Sequence, residues 1–407
     1  MLSSSPVSRL RSLLANLLLF LFSLAVCAAI AETAARIYAA SLARPDPVAA
    51  AKPISRFHPT LGWDKPPGGE ARIRRAEFDI DIVINSRGLR GPDYDYDKPA
   101  GTKRVLILGD SFAEGYYVDE PDTARAVLEQ RLNAGPCRGW QVVNGGTIAY
   151  STDQEYLFFR EEGFRYRPDL VTLLFYHNDL LYNGSGRGPG GEAKPFFGVD
   201  DGRLVARHTT LAPDAEGGPN RQNPGRAPLQ PWRGSIALRL LSNRTVNSTP
   251  RLHEALASLG LVQPVPTDPP REFWPYGPVR GPEVAEMWAV TAALFAALKQ
   301  DVEAHGARLS VLYVPARFEV NPSVWQTTRE RYKLGRRWDP YVVFDRLKKE
   351  LDAIGIPLLD PREALTRTEA SGPPAYYTRD VHWNEVGNRI AAEALQRQVE
   401  ADPVCRP

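Results

Sequence analysis

The sequence has little cysteine and almost no net charge, and it lacks the two common nucleotide-binding motifs at the positions where such motifs bind phosphate. Three cysteines in 407 residues cannot form a disulfide scaffold, and none stands in a C-x-x-C spacing for metal or redox chemistry. Because 50 Lys and Arg oppose 48 Asp and Glu, the net charge is only +2, which argues against nucleic acid as a partner. No G-x-G-x-x-G follows the first predicted strand and no G-x-x-x-x-G-K-S/T occurs, so nucleotide or flavin binding is disfavoured.

Hydrophobic residues make up 43% of the chain and aromatic residues 10%, enough for a large packed core, so wholesale disorder is excluded. Glycine and proline are frequent, at 32 and 36 residues, and they predict long irregular segments. Most of the histidines have no acid or cysteine grouping that is typical of a metal site. We therefore expect neither a metal nor a cofactor.

The cysteines allow two interpretations. Cys27 lies in an apolar run, whereas Cys137 precedes a predicted strand and Cys405 stands near the C-terminus. If the body of the protein lies outside the cytoplasm, Cys137 and Cys405 can form one bridge that ties down the C-terminal tail. The alternative is two unrelated free thiols.

Residues 13–31 carry no charge and predict a membrane helix. At 1.5 Å per residue they approach the ~30 Å of a bilayer core, whereas the apolar part of a cleaved signal usually has about 7–15 residues. This length favours an uncleaved anchor, although Ala29-Ile30-Ala31 resembles a signal-peptidase site. Arg9 and Arg11 precede the run, so the N-terminus is expected in the cytoplasm and the body on the periplasmic side, or secreted if the segment is cleaved.

The rest of the chain divides by composition into further segments. The helical pattern of the anchor continues to about residue 43, and residues 44–56 are predicted to be a linker. Residues 57–102 contain alternating runs and turn dipeptides, which predict a β-rich extension packed against the main domain. Residues 103–399 form that main domain, with an irregular, Gly- and Pro-rich insertion at 182–279.

The main domain alternates short apolar runs with amphipathic stretches. The runs, each predicted to be a buried strand, are 105–108, 141–143, 171–176, 309–314 and 356–359. The amphipathic stretches, each predicted to be a helix, are 122–132, 283–305, 341–354 and 385–399. This alternation predicts a three-layer α/β/α sandwich around a mostly parallel, flavodoxin-like sheet.

Four polar strings stand at strand ends or before a helix, in the order Gly-Asp-Ser-Phe, Asn-Gly-Gly, His-Asn-Asp and Asp-Val-His-Trp-Asn. Each string alone is a weak indication, since a turn explains it equally well. Open parallel sheets bind ligands at the carboxyl ends of their strands. A serine, a glycine backbone, an amide and an acid–His pair are together the groups that acyl transfer needs.

The four strings resemble the blocks of the SGNH, or GDSL, hydrolase superfamily, over roughly residues 103–399. The matching residues are Ser111, Gly146, Asn178 and His382. Two departures stand out: Tyr176 occupies a position that is usually glycine, and the acid stands two residues before the histidine, as in alginate O-acetyltransferase-like relatives. The string at 84–91 resembles an extension seen in membrane-anchored bacterial members.

The resemblance implies a role for each matching residue. Ser111 is the expected nucleophile, His382 its base and Asp380 the residue that orients the imidazole. Gly146 and Asn178, with the backbone of Ser111, are expected to form the oxyanion hole. Three neighbouring residues are expected to be structural and are not assigned to catalysis: Asp110, His177 and Asp179.

The function implied is that of an exported esterase or O-acyltransferase with an acyl-serine intermediate. By analogy with the family, its expected substrate is an O-acetylated cell-surface glycan or exopolysaccharide. Transfer rather than hydrolysis would need an acyl donor supplied by another membrane protein. The alternative is a non-catalytic envelope protein that binds glycan or scaffolds an assembly on the same fold.

Overall fold

The computed structural model describes residues 6–42, 52–136, 138–208, 210–211, 234–263 and 269–405. The chain divides into two compact units, one of Met1–Pro47 with Asn223–Asp268 and one of Val48–Gln222 with Pro269–Pro407. The first unit begins with a single long helix, α1 (Pro6–Leu42), which covers the apolar run.

The segment before the main domain folds as two antiparallel hairpins. In the first, β1 (Arg56–His58) pairs with β2 (Gly62–Asp64). In the second, β3 (Glu70–Arg74) pairs with β4 (Asp79–Val83). In β4 the side chains of Ile80 and Ile82 are buried while their neighbours are exposed, as expected for a strand with one face on a core.

The remaining strands are, in chain order, β5 (Lys103–Gly109), β6 (Trp140–Asn144), β7 (Leu170–Tyr176), β8 (Phe196–Asp200), β9 (Arg203–His208), β10 (Arg308–Val314) and β11 (Leu358–Leu359). Five of them form one parallel sheet in the order β11-β10-β7-β5-β6. Counted within the sheet this is the order 2-1-3-4-5 of flavodoxin-like folds. The predicted fold class is therefore confirmed.

The remaining helices are α2 (Ser111–Glu114), α3 (Ala124–Ala134), α4 (Thr152–Glu161), α5 (Asp179–Tyr182), α6 (Ile236–Ser248), α7 (Pro250–Ser258), α8 (Gly281–Ala304), α9 (Arg317–Val320), α10 (Pro322–Arg331), α11 (Val342–Ala353), α12 (Arg362–Ser371) and α13 (Glu385–Ala401). Short 3₁₀ turns lie at Glu120–Asp122, Gly163–Tyr166, Arg271–Tyr276 and Pro403–Cys405.

Helices cover both faces of the sheet. Leu106 and Leu108 of β5 pack in one core with residues of α4, α8 and α11. Val105 and Ile107 of the same strand pack in a second core with residues of α3, α12 and α13. Since successive side chains of a strand point to opposite faces, the continuous apolar run of β5 supplies both cores and produces the three layers.

The structure contains elements that the sequence patterns did not predict. Helices α4 and α12 were not predicted, and part of the insertion is an ordered hairpin, β8–β9. Its turn is Asp201-Gly202, with φ of 48° and 74°. Asp-Gly is a favoured pair for a two-residue hairpin turn because both residues adopt positive φ. Residues 44–51 of the predicted linker, and 209, 212–233 and 264–268 of the insertion, lie outside the described residues.

In the first unit, the carboxylate of Glu32 in α1 caps the N-terminus of α6. It accepts hydrogen bonds from Ser235 Oγ at 2.7 Å and from the backbone N–H groups of Ala237 and Ile236. Within α1, Leu13–Ala39 is long and apolar enough to cross a membrane. A signal sequence near an N-terminus passes the same test, so this finding gives only weak evidence for an anchor.

Of the cysteines, Cys27 is exposed and free. Cys405 is disulfide-bonded, as the bridged interpretation of the sequence requires. Cys137, its predicted partner, lies outside the described residues.

Candidate active site

A tight turn at the end of β5 presents the predicted nucleophile. Gly109 has φ of 147°, and a Cβ at this position would stand 2.7 Å from Ala113 Cβ, so only glycine fits. Asp110 caps α2, its carboxylate accepting the backbone N–H of Phe112 at 2.9 Å. Ser111 is therefore the first residue of a capped helical turn at the carboxyl edge of the sheet, with its side chain largely buried.

The acid–His pair lies on a narrow loop before α13. Tyr376 and Trp383 form an antiparallel bridge, and the backbone N–H of Tyr377 donates to the carbonyl oxygen of His382 at 3.1 Å. At the tip, Asp380 Oδ1 is hydrogen-bonded to His382 Nδ1 and also accepts the backbone N–H of His382 at 3.0 Å. The i, i+2 spacing therefore puts the carboxylate beside the imidazole, as the sequence predicts.

The two segments meet at the nucleophile. Ser111 Oγ lies 2.7 Å from His382 Nε2, across 271 positions of sequence. With the proton on Nδ1 directed to Asp380, the imidazole Nε2 accepts the hydroxyl hydrogen of Ser111. Burial opposes ionisation of Asp380, but the hydrogen bonds and charge of His382 outweigh it and lower the pKa of this carboxyl.

Two aromatic rings pack against the imidazole. The ring of Tyr117 stacks on His382 with centroids 3.8 Å apart and an interplanar angle of 22°. Phe112 lies 4.7 Å from the imidazole at 32°. Sequence reasoning did not assign Tyr117; the tandem tyrosines that follow the first block were the available indication. A small cavity here is lined by Ser111, Phe112, Gly115, Tyr117, His382, Trp383 and Asn388.

Gly146 packs directly against the helical turn that carries the nucleophile. A Cβ at Gly146 would stand 2.3 Å from the backbone nitrogen of Glu114, so no side chain fits here. Its own backbone N–H already donates to the side-chain oxygen of Asn144 at 3.0 Å. Gly146 is thus beside α2, but its N–H has a protein partner in this structure.

Asn178 follows β7, the strand that pairs with β5 in the sheet, so it stands at the same edge as Ser111. Its side-chain oxygen is buried and has no hydrogen-bond partner among the described residues. Neither Asn178 nor Gly146 is among the residues that line the cavity beside His382. The structure therefore joins Ser111, His382 and Asp380 directly, whereas it shows no contact of Gly146 or Asn178 with the His382–Asp380 pair.

Buried carboxyls surround this edge of the sheet. Burial raises the pKa of Asp110 to about 6, although the Phe112 N–H opposes the shift. Burial also raises the pKa of Asp179, which accepts a hydrogen bond from Thr152 Oγ1 at 3.1 Å. His177 packs against the rings of Tyr176 and Tyr276, and burial lowers its pKa to about 3. Among the described residues, none of the three side chains forms a hydrogen bond with Ser111 Oγ or the His382 ring.

Comparison with known proteins gives one family match. Residues 280–406 match the family model described as "SGNH hydrolase-like domain, acetyltransferase AlgX". This range contains the Asp380–His382 pair. Residues 280–406 are therefore similar to an SGNH hydrolase-like domain. The match and the geometry of the site together indicate an ester hydrolase or an acyltransferase. No curated protein sequence matches the chain.

Solved structures similar to the SGNH domain are esterases and lipases of low identity. A lipase/acylhydrolase from Enterococcus faecalis is 12% identical, with 74% of this chain and 96% of that chain covered and a TM-score of 0.37. A catalytic mutant of an acetylxylan esterase from Geobacillus stearothermophilus is 14% identical, with 74% and 96% covered and a TM-score of 0.36. Similarity at this level supports no conclusion about activity.

Proposed function

We propose that this protein is an extracytoplasmic serine esterase or O-acyltransferase that works through an acyl-serine intermediate. The observation that carries the proposal is the 2.7 Å contact between Ser111 Oγ and His382 Nε2, with Asp380 on the other imidazole nitrogen. A nucleophile hydrogen-bonded to a base that is itself oriented by a third group is the arrangement that activates a serine hydroxyl.

In the acylation half-reaction, Ser111 Oγ attacks the carbonyl carbon of an ester while its proton passes to His382 Nε2. Asp380 stabilises the imidazolium that results. The tetrahedral intermediate then collapses: the bond to the leaving oxygen breaks, and His382 returns the proton to that oxygen. The products of this half-reaction are a free alcohol and an acyl ester on Ser111.

In the second half-reaction, water or an acceptor hydroxyl attacks the acyl-serine. His382 takes the proton of the attacking oxygen and returns it to Ser111 Oγ when the acyl bond breaks. Hydrolysis and transfer differ only in which hydroxyl reaches the acyl group. Since both share the same intermediate, one set of residues serves either reaction.

The developing oxyanion needs hydrogen-bond donors, and we assign these to the backbone N–H groups of Ser111 and Gly146 and the side-chain amide of Asn178. A donor of this kind contributes about 10²–10³ in rate. Gly146 would share or exchange its hydrogen bond to Asn144 when charge develops on the substrate oxygen.

We propose an O-acetylated carbohydrate as the substrate and the periplasmic side as the location. Support for the substrate is the family model, whose description names an acetyltransferase. Support for the location is the apolar helix Leu13–Ala39 with arginines at positions 9 and 11 before it. In the transfer reaction, the acyl donor would come from a membrane partner.

The test is detection of the acyl-enzyme. The full-length protein is incubated with acetylated glycans, with and without acceptor sugars, and its intact mass is recorded beside that of Ser111→Ala. We expect an acetyl adduct only when Ser111 is present, and faster loss of the adduct with an acceptor if the protein is a transferase. A fluorophosphonate probe that labels neither protein would instead favour the non-catalytic glycan-binding alternative.

A further inference from the structure

The loop that carries the acid–His pair is held at its tip by a residue from far upstream. The backbone N–H groups of Thr378 and Arg379 donate to the two carboxylate oxygens of Glu77, at 2.6 and 2.8 Å. Both donors are solvent-exposed positions directly before Asp380. Glu77 stands in the turn between β3 and β4, three hundred positions earlier in the chain.

The next residue of the same turn contacts the aromatic wall of the site. Phe78 lies edge-on to the ring of Tyr117 at 5.3 Å and is tilted against Tyr377 at 5.2 Å. Tyr377 in turn donates from its hydroxyl to the carbonyl oxygen of Tyr117 at 2.7 Å. The β3–β4 hairpin therefore touches both the loop that carries His382 and the ring stacked on that histidine.

Two buried cations of the extension bind the backbone of the other site segments. Lys65 donates from Nζ to the carbonyl oxygen of Gly146 and to Thr147 Oγ1. Arg90 donates to the carbonyl oxygens of Gly115 and Val118, directly after the nucleophile helix. Both side chains are almost completely buried, and removal of either would leave buried carbonyl groups unpaired.

We infer that the extension, residues 57–102, is a working part of the active site, in which Glu77 is a positioning residue for Asp380 and His382. This inference rests on the proposed function. Glu77 touches neither substrate nor reacting atoms; it acts through the loop. Its carboxylate accepts hydrogen bonds from the two residues directly before Asp380. These bonds fix the positions of the Asp380 carboxylate and the His382 imidazole relative to Ser111 Oγ.

The loop's construction explains why such an anchor is needed. The tip residues Thr378 and Arg379 are exposed, and their N–H groups find their acceptor on Glu77, outside the loop that carries them. Charged acceptors of backbone N–H groups form stronger hydrogen bonds than neutral ones. Because a misplacement of about 1 Å can cost about 10²-fold in rate, loosening the tip should lower turnover more than binding.

The experiment compares Glu77→Ala and Glu77→Gln with the control Glu70→Ala in the full-length protein. Glu70 is an exposed carboxylate on β3 of the same hairpin, paired only with the exposed Lys52 among the contacts described for it. We expect Glu77→Ala to lower kcat for an activated acetyl ester by about 10- to 100-fold while KM changes less than about twofold. Glu77→Gln, which keeps one oxygen acceptor, should recover part of the loss, and Glu70→Ala should match wild type.

A second readout does not depend on activity. Amide hydrogen exchange of a peptide spanning residues 376–383 should speed up in Glu77→Ala and less in Glu77→Gln, because Thr378 and Arg379 lose their acceptor. Unchanged kcat and unchanged exchange in both folded variants would overturn the inference. A wild-type protein that neither turns over esters nor reacts with a fluorophosphonate would reject the proposed function, and the exchange would still decide whether Glu77 fixes the loop.

Discussion

The proposed proton-transfer half of the site and the proposed oxyanion half differ in how many of their contacts are already formed in the folded protein. On the first side, Ser111, His382 and Asp380 are already hydrogen-bonded to one another, and Tyr117 stacks on the imidazole. On the second side, the N–H of Gly146 is paired with a protein side chain, and an oxygen of Asn178 is buried without a partner among the described residues.

The two halves therefore differ in whether their catalytic contacts exist before the substrate binds or form only during the reaction. The proton-transfer half is fixed by contacts that are complete in the folded protein, so its geometry costs no rearrangement at the moment of reaction. In the proposed oxyanion half, the N–H of Gly146 would have to leave Asn144 to bind the negative charge that develops on the substrate. Substitution of Ser111, His382 or Asp380 should therefore cause the largest losses of kcat. Substitution of the proposed oxyanion donors should cause smaller losses, which measure how much each donor contributes to the rate.

The largest loss after the nucleophile itself is expected for Asp380→Asn. The asparagine amide cannot hold the imidazole in the tautomer that accepts the hydroxyl hydrogen of Ser111, so kcat should fall by about 10³- to 10⁴-fold. Steady-state turnover of p-nitrophenyl acetate measures this fall in kcat, with the exposed Asp345→Asn on α11 as a control. A kcat within about tenfold of wild type would contradict the role of Asp380 in orienting His382 for proton transfer.

Asn178→Ala should have the next largest effect and sharpens the account of the oxyanion half. Loss of one amide donor should lower kcat by about 10²- to 10³-fold, roughly 3–4 kcal/mol of transition-state stabilisation. The free energy of unfolding should change by less than about 1 kcal/mol, because the buried oxygen of Asn178 has no hydrogen bond to lose among the described residues. Asn178→Asp, which lacks the N–H donor, should be as slow; a fast Asp variant would exclude the amide as a donor.

The smallest effect on rate is expected for Asp110→Asn, at the turn before the nucleophile. The variant keeps an oxygen that can accept the Phe112 N–H. Asp110 has an unfolded pKa near 3.8 and a folded pKa of about 6, so the folded state binds its proton more tightly. Its stabilising contribution is complete below about pH 4 and is lost as the pH rises through about 6.

Chemical unfolding of the full-length protein in detergent at several pH values measures this contribution. The stability of Asp110→Asn relative to wild type should rise by up to about 3 kcal/mol between pH 4 and pH 8, because the variant avoids a buried charge. The exposed Asp345→Asn on α11 is measured beside it. A flat difference for Asp110→Asn would mean that Asp110 ionises as easily in the folded protein as in the unfolded chain.

The sequence allowed prediction of the elements that follow from local periodicity. The apolar runs located the sheet strands, and the i, i+2 spacing of Asp380 and His382 correctly placed the carboxylate beside the imidazole. These features depend on residues close together in the chain. The mostly parallel, flavodoxin-like sheet was predicted from the alternation of strands and helices, together with the resemblance to a known family.

The sequence did not reveal contacts whose partners come from distant loops. The hydrogen bonds of Glu77 to the loop before Asp380 depend on how the extension is folded against the main domain. The stacking of Tyr117 on His382 joins two residues of the main domain that are far apart in the sequence. No local pattern distinguishes Glu77 from the other charged residues of its hairpin. The partner of the Gly146 N–H was likewise hidden, although Asn144 stands only two residues away, because a side-chain cap and an oxyanion donor have the same sequence pattern.

The most direct test of the central claim is turnover of an activated acetyl ester by Ser111→Ala. We predict that kcat falls by at least about 10³-fold. The variant should remain folded. Undiminished turnover by a folded Ser111→Ala protein would contradict this claim, because the 2.7 Å contact between Ser111 and His382 would then serve no chemistry.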